Sequence, residues 1–165
     1  MTDLHLAELN IGRLHSPIDA PEIADFANAL DEINALAEAA PGFVWRLQTD
    51  EGNATGIKAF EDELTILNLS VWTSVDALAD YVYRSAHTPF LRRRREWFER
   101  MEMAVVLWWI PAGHTPTVAE ALERLDHLRR HGPSPHAFTF RERFAPGDDG
   151  QLAPADTDDR DACPA

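Results

Sequence analysis

The sequence predicts an α+β domain of the ferredoxin-like type, in which an antiparallel sheet is built around a split βαβ unit. Periodic segments follow one another as strand, helix, strand, strand, helix and strand, with one further helix and strand, and that order is typical of this fold. The 165-residue chain is long enough for one domain with its own core. We therefore predict a ferredoxin-like domain over residues 1–144 and a separate tail over 145–165.

The first part of the domain is predicted to contain a strand, a helix and a second strand. Residues 4–11 alternate in polarity, as a strand does. Asp19 and Glu22 form the pattern of a capping box, and apolar residues then recur at helical spacing until Pro41 ends the helix. The segment 42–48 predicts the second strand.

A loop, a third strand and a second helix come next. Residues 49–63 are rich in Gly, Asp and Asn and predict a long loop. Residues 64–72 are β-branched and aromatic, which is typical of a strand. Ser74 is placed to cap the second helix. His87 lies in the break after that helix, and a further helix is predicted over 88–101.

The last part of the domain is predicted to alternate strand, helix and strand. Residues 104–110, AVVLWWI, form a near-continuous apolar run and predict a strand that is buried on both faces. A final helix opens at Thr115-Pro116 and ends at Gly132. The segment 136–144 predicts a fifth strand.

Both faces of this sheet are expected to be covered. Trp108 and Trp109 are adjacent in the fourth strand, so their side chains must point to opposite faces. We expect the helices to cover one face. A partner subunit packing sheet to sheet is the simplest cover for the other, so the sequence predicts a homodimer.

Composition and charge exclude several classes of protein. The net charge of −13 argues against nucleic acid and anionic membrane as partners, because both are bound mainly by basic surfaces. The tail holds six aspartates, one arginine and no aromatic residue, and it is expected to be disordered. The single Cys163 excludes a disulfide framework. Without a recognisable signal peptide or membrane span, a cytoplasmic location is expected.

Four consecutive arginines, in FLRRRREWF, stand out in this acidic chain. At about 100° per residue, Arg94 falls within the apolar sector of the predicted helix, whereas Arg92 points to solvent. Arg94 is therefore expected to enter the cleft between helix and sheet, where its charge needs a partner. That partner is either Glu8, in a structural ion pair, or the carboxylate or phosphate of a ligand.

Four polar residues lie on strand faces that should be buried: Glu8 and Asn10 on the first strand, and Asn68 and Ser70 on the third. A core that needed only packing would have Val or Leu there. They form either a satisfied hydrogen-bond network or, with Arg94, the polar groups of a ligand pocket.

The segment VWTSVDALADYVYRSAHTPFL resembles the strand-to-helix region of the dimeric α/β-barrel superfamily, which includes antibiotic-biosynthesis monooxygenases and haem-degrading enzymes. The strings PGFVWRLQ, GNATGIKAF, FLRRRREWF, LWWIPAGHTPT and AFTFRERF resemble one family within it, domain of unknown function 3291. The resemblance implies the fold and dimerisation. It also implies that Asn10, Trp72 and His87 correspond to the site of the haem-degrading members.

These observations favour a small-molecule enzyme of the monooxygenase-like type, acting on an aromatic or polyketide-like acidic substrate. Arg94 would anchor the anion, and His87 would move a proton, unless it only fills the helix break. Asn10 or Asn68 would orient the reacting oxygen. The predicted apolar walls are Trp72, Trp97 and one of Trp108 and Trp109.

Two alternatives remain open: a haem-binding or haem-degrading protein with His87 on the iron, and a non-catalytic ligand-binding or dimerisation module. No cofactor is expected, although the resemblance leaves haem open. The common nucleotide-binding and metalloprotease motifs are absent. His127 and His131 are four residues apart without a third ligand, so a surface pair is expected rather than a metal site. His114 is expected either at the cleft mouth or at a helix start.

Overall fold

The computed structural model describes residues 3–48, 64–86, 93–99 and 104–146 of the chain. Within them lies one four-stranded antiparallel sheet with the strand order β2-β3-β1-β4. The strands are β1 (Leu4–Arg13), β2 (Phe43–Arg46), β3 (Thr65–Trp72) and β4 (Val105–Pro111). Strands β1 and β2 both run antiparallel to β3, which lies between them. This is the split βαβ arrangement, and it confirms the predicted α+β ferredoxin-like fold.

Four α-helices accompany the sheet in the described residues. They are α1 (Ala24–Glu38), which follows a short 3₁₀ turn at Pro21–Ile23, α2 (Val75–Ala86), α3 (Arg94–Trp97) and α4 (Val118–His131). None of these helices has the length and apolar character needed to cross a bilayer.

The helices cover both faces of the sheet, which corrects the prediction that they lie on one face. Helices α1 and α2 pack on the face that carries Leu6 and Trp72. Helix α4 packs on the opposite face, where Leu125 and Leu128 contact the side of the sheet that carries Trp108. The chain therefore buries by itself the face for which a partner subunit was expected, and the homodimer stays a prediction.

The helix ends show which local signals were correct. Ser74 Oγ accepts a hydrogen bond from the N–H of Ala77 at 3.1 Å, as predicted for the cap of α2. Helix α4 ends at Gly132, whose φ of 78° is a conformation that glycine adopts easily. The capping box at the first helix was wrong, because Ala20 is the N-cap of the 3₁₀ turn and Ile23 is the N-cap of α1, and neither residue supplies a side-chain cap. Glu22 instead accepts a hydrogen bond from Ser16 Oγ at 2.5 Å.

Two predicted elements differ in the structure. The helix predicted over 88–101 is described only in part, and there it ends at Trp97, because Phe98 is extended and pairs with Leu14. The segment 136–144 forms no strand and makes two isolated bridges, one between Phe138 and Leu107 of β4 and one between Ala137 and Ser134. The predicted loop at 49–63, His87 and all but the first two residues of the tail lie outside the described residues.

Candidate functional site

A cavity of about 260 Å³ lies between the sheet and helices α1 and α2. Five of the seven predicted site residues line it: Glu8, Asn10, Asn68, Trp72 and Arg94. The other residues around it are mainly apolar or aromatic, with a few convergent polar groups, which is the usual composition of a small-molecule site.

The other two predicted site residues are not placed there. Trp97 is fully buried in a separate cluster with Leu14, Ile23 and Phe26. It does not line the cavity. His87 lies outside the described residues, so its role as the proton-transfer group stays a prediction.

The polar residues of the cavity meet because of the strand register. In the antiparallel pair of β1 and β3, Glu8 lies opposite Ser70 and Asn10 lies opposite Asn68. Since side chains alternate along a strand, both pairs project from the same face of the sheet. The result is a polar strip across the two central strands, on the side that α1 and α2 cover.

A directed hydrogen-bond chain runs along the first of these pairs. Trp72 Nε1 donates to Ser70 Oγ at 2.9 Å, and Ser70 Oγ donates to Glu8 Oε1 at 3.1 Å. The direction is fixed because the indole N–H can only donate. The serine oxygen accepts from Trp72, so its own proton is available for the carboxylate.

Glu8 is buried, with only 4% of its surface exposed. Burial disfavours its charged form and raises its pKa to about 7, while the hydrogen bond from Ser70 opposes that shift. At neutral pH the carboxyl group therefore populates both protonation states. The described residues contain no ion pair between Glu8 and Arg94, so the structural reading of Arg94 as a partner of Glu8 is not supported.

The strap at 93–99, which carries Arg94, is held against the end of β1. The N–H of His15 donates to the Trp97 carbonyl at 2.8 Å, and the N–H of Glu99 donates to the Arg13 carbonyl at 2.7 Å. The side chains of Arg13 and Glu99 also form an ion pair. These contacts fix the strap at the edge of the cavity.

Side chains of the strap complete this attachment. Arg93 Nη1 donates to Asp25 Oδ2 at 2.9 Å, which ties the strap to α1. The Phe98 ring lies on Gly12, where an added Cβ would come within 2.7 Å of it, so only glycine fits this contact. Arg94, by contrast, is exposed at the cavity edge, which corrects the expectation that its charge is buried, and it makes no ion pair with a described residue. Its guanidinium is therefore available to an anionic group entering the cavity.

Aromatic rings form one wall of the cavity. Trp72 stacks on Tyr81 with the ring centroids 5.1 Å apart, and Phe43 meets Trp72 edge-on at 5.4 Å. Tyr83 is 70% exposed, so the two tyrosines of α2 point in different directions and only Tyr81 joins the wall. This wall suits a flat, apolar ligand body.

The two asparagines behave differently from Glu8 and Ser70. Asn10 is half-buried and Asn68 is exposed, and neither amide hydrogen-bonds another described residue. The sequence left open whether the polar strip is an internal network or a ligand site. Glu8, Ser70 and Trp72 form an internal network, whereas the two amides remain open toward the cavity.

Sequence reasoning missed Arg46, which also lines the cavity. It is 9% exposed, and its Nε donates to Glu38 Oε2 at 3.0 Å. The signal was an arginine inside the apolar strand segment FVWRLQ, comparable to the signal that singled out Arg94.

The remaining predicted groups lie elsewhere. Trp108 and Trp109 point to opposite faces, as predicted, and neither lines the cavity. His114 contacts Glu120 at 2.8 Å near the start of α4. His127 and His131 lie with their rings 4.7 Å apart, and the described residues hold no group of three ligands that suits a metal.

The described residues around the cavity give no support to the haem that the superfamily resemblance left open, and His87, the histidine proposed for the iron, lies outside them. The described lining of the cavity contains no histidine or cysteine. The one tyrosine that lines it, Tyr81, directs its hydroxyl to the Ile33 carbonyl at 3.5 Å. Nothing in the described lining supplies the axial ligand that haem iron takes from a protein.

The fold and site together define a ferredoxin-like α+β domain with a small, partly polar ligand cavity on one sheet face. A family model, domain of unknown function DUF3291, matches residues 5–153, and the chain belongs to that family. This confirms the resemblance noted from the sequence strings. No curated protein sequence matches the chain.

The solved structures that resemble the chain include the following two. One is SnoaB, a cofactor-independent oxygenase from Streptomyces nogalater, with 16% identity, 67% of this chain and 95% of that chain covered, and a TM-score of 0.41. The other is an uncharacterised NIPSNAP-like domain protein from Burkholderia xenovorans, with 15% identity, 71% and 92% covered, and a TM-score of 0.40. At these identities and TM-scores, neither match indicates the activity of this chain.

Proposed function

We propose that this protein is a small-molecule enzyme of the monooxygenase-like type, which acts on an aromatic or polyketide-like acidic substrate in the cavity. The observation that carries the proposal is the meeting of three features in one cavity: an aromatic wall, two open amides and an exposed guanidinium. Each feature matches one part of an acidic aromatic molecule.

In this proposal, different residues of the site bind different parts of the ligand. The ligand ring packs on Trp72, and its carboxylate pairs with Arg94 in a bidentate contact. The amides of Asn10 and Asn68 hydrogen-bond and orient the oxygen at the reacting position. His87 is proposed to transfer a proton, on the strength of the sequence resemblance.

The size of the cavity narrows the substrate class. Its volume of about 260 Å³ lies just below the range of roughly 300–1,000 Å³ that is usual for drug-sized ligands. A compact aromatic acid with one or two rings therefore suits it better than an extended polycyclic molecule.

We also propose that the protein works as a cytoplasmic homodimer without a resident cofactor. The dimer follows from the superfamily resemblance and not from an uncovered sheet face. Light scattering on the purified chain measures its mass in solution, and a monomer would contradict the proposed assembly.

The proposed binding mode is tested by calorimetric titration of benzoate and naphthoate into the wild type, Arg94→Ala and Arg95→Ala. Arg95 is the matched control, since it is the exposed neighbour of Arg94 and does not line the cavity. Loss of a charge-assisted contact should weaken binding about tenfold or more in Arg94→Ala only. Equal effects in the two variants would refute the anchoring role.

The proposed reaction is tested by oxygen uptake with hydroxylated aromatic acids and no added cofactor. His87→Ala should abolish turnover while leaving aromatic-acid binding largely intact, because a proton-transfer group contributes mainly to the chemical step. Retained turnover in this variant would remove His87 from the mechanism. Binding without oxygen uptake in the wild type would leave a non-catalytic ligand-binding module.

A further inference from the structure

The hydrogen-bond chain that ends at Glu8 prepares this carboxyl group to accept a proton. Glu8 lines the cavity, and Ser70 hydrogen-bonds only one of its two oxygens, Oε1. No described residue hydrogen-bonds the other oxygen, Oε2. A ligand hydroxyl in the cavity is the natural donor for that second oxygen.

The chain also fixes which way the Ser70 proton points. Because Trp72 donates to the serine oxygen, the serine hydroxyl is directed to Glu8 and stabilises the ionised, proton-accepting form. An apolar side chain at position 8 would make no use of these two hydrogen bonds. Two residues thus hold Glu8 in the orientation and state that a base requires.

Among the described charged and titratable groups around Glu8, none other is placed to accept a proton from a ligand. Arg46 on β2 is engaged by Glu38 of α1, and the Tyr81 hydroxyl of α2 is directed to the Ile33 carbonyl. Arg94 stands at the exposed cavity edge. Among the described residues that line the cavity, Glu8 is the only one with a carboxyl group.

We propose that Glu8, and not His87, accepts the proton of the substrate hydroxyl, which leaves His87 a proton transfer at another step, and that the substrate is a hydroxylated aromatic acid whose hydroxyl group hydrogen-bonds Glu8 Oε2. This inference rests on the proposed function. The ligand O–H bond breaks, its electron pair stays on the ligand oxygen, and the proton moves to Glu8, which becomes a neutral carboxylic acid. Ser70 and Trp72 are positioning residues for this step.

The electrostatics of the site agree with this assignment. Burial raises the pKa of Glu8 to about 7, which is the range in which a general base works best at neutral pH. The activated ligand anion would form beside the open amides of Asn10 and Asn68, which can donate hydrogen bonds to it.

The test compares 4-hydroxybenzoate with benzoate, which lacks only the hydroxyl group, by calorimetry between about pH 6 and 8, where each ligand keeps one ionisation state. In the wild type, the preference for the hydroxylated compound should increase as pH rises through about 7, because Glu8 then ionises. Glu8→Gln should remove most of that preference, about tenfold or more, together with its pH dependence.

Ser70→Ala tests the positioning role of Ser70 through the midpoint of the pH dependence, which a purely structural role of this residue would not move. Removing this hydroxyl deletes the hydrogen bond that lowers the pKa of Glu8, so the midpoint of the pH dependence should move to higher pH. Trp72→Phe keeps a ring against Tyr81 but loses the N–H, so it should move the midpoint in the same direction by less.

The outcomes separate this inference from the proposed function. If both ligands bind but Glu8→Gln keeps the hydroxyl preference and its pH dependence, another group accepts the proton and this inference is overturned. If neither compound binds the wild type, the proposed aromatic-acid site is wrong, and this inference falls with it. Circular dichroism of each variant confirms that it is folded.

Discussion

The two faces of the sheet are built from the same strands and serve opposite purposes. On the face under α4, Ala7, Leu9 and Trp108 are fully buried against the apolar side of the helix. On the face under α1 and α2, the neighbouring strand positions carry Glu8 and Asn10 around a cavity. The comparison teaches that period-two alternation lets one strand contribute to stability on one side and to ligand binding on the other.

The described polar groups on the two faces also differ in their hydrogen-bond partners. On the α4 side, the buried Arg124 directs Nη1 to His136, at 2.6 Å from Nδ1 and 3.0 Å from the carbonyl oxygen. The guanidinium of Arg124 is thereby bonded within the fold, and burial together with this neighbouring charge lowers the pKa of His136 to about 3 and keeps its ring neutral. On the cavity side, Asn10 and Asn68 have no such partners among the described residues. Substitutions on the two faces should therefore have different consequences.

The largest effect is expected on the closed face. Trp108→Ala should lower the free energy of unfolding by about 3–5 kcal/mol, because it leaves a large void under α4. It also removes the indole N–H that donates to Glu120 Oε2 at 2.9 Å. Urea denaturation measures the loss, with Val44→Ala on an exposed strand position as the control. A loss below about 1 kcal/mol would mean that this face is not the stabilising core.

The next effect concerns the cost of keeping a carboxyl group on the cavity face. The pKa of Glu8 is about 7 in the folded chain and near its ordinary value of 4.5 when the chain is unfolded. Protonated Glu8 is therefore favoured by folding: its contribution is fully present below about pH 4.5 and is lost as pH rises through about 7. The wild type should lose about 3 kcal/mol of stability from this group over that range.

Glu8→Gln isolates this contribution, since it keeps the shape of the side chain and cannot titrate. The stability of Glu8→Gln relative to the wild type should increase with pH, and urea denaturation at pH 5 and pH 8 measures the difference. A constant difference would show that Glu8 has an ordinary pKa in the folded chain.

The fold was largely predictable from the sequence because strand periodicity fixes both the elements and the faces. The alternation that placed Glu8, Asn10 and Asn68 on one side of the sheet is local information, and the structure confirms it. The side on which the last helix packs is not local. An amphipathic pattern shows that α4 buries one face, but not which face of the sheet it covers.

The errors have equally local causes. Trp97 was assigned to the cavity as part of a helix over 88–101, but the described part of that segment is helical only over Arg94–Trp97, and Trp97 packs with Leu14, Ile23 and Phe26 instead. The fifth strand was predicted wrongly, and at its start Ser134 Oγ accepts hydrogen bonds from the N–H groups of His136 and Ala137, which favours a turn there. Such side-chain bonds compete with strand pairing, and residue propensity does not show which one wins.

The smallest effect should separate binding from stability on the cavity face. The amide of Asn68 is exposed and hydrogen-bonds no described residue, so Asn68→Ala should change the free energy of unfolding by no more than about 0.5 kcal/mol. Binding of 4-hydroxybenzoate should nevertheless weaken about five- to tenfold, the value of one neutral hydrogen bond.

Gln48→Ala is the matched control for Asn68→Ala, because Gln48 is an exposed amide that follows β2 and does not line the cavity. Calorimetry measures the affinity of both variants for 4-hydroxybenzoate, and urea denaturation measures their free energy of unfolding. If Asn68→Ala lost more than about 2 kcal/mol of stability, the amide would belong to the structural network with Glu8 and Ser70. Unchanged affinity would place the ligand oxygen away from Asn68 and leave Asn10 as the orienting amide.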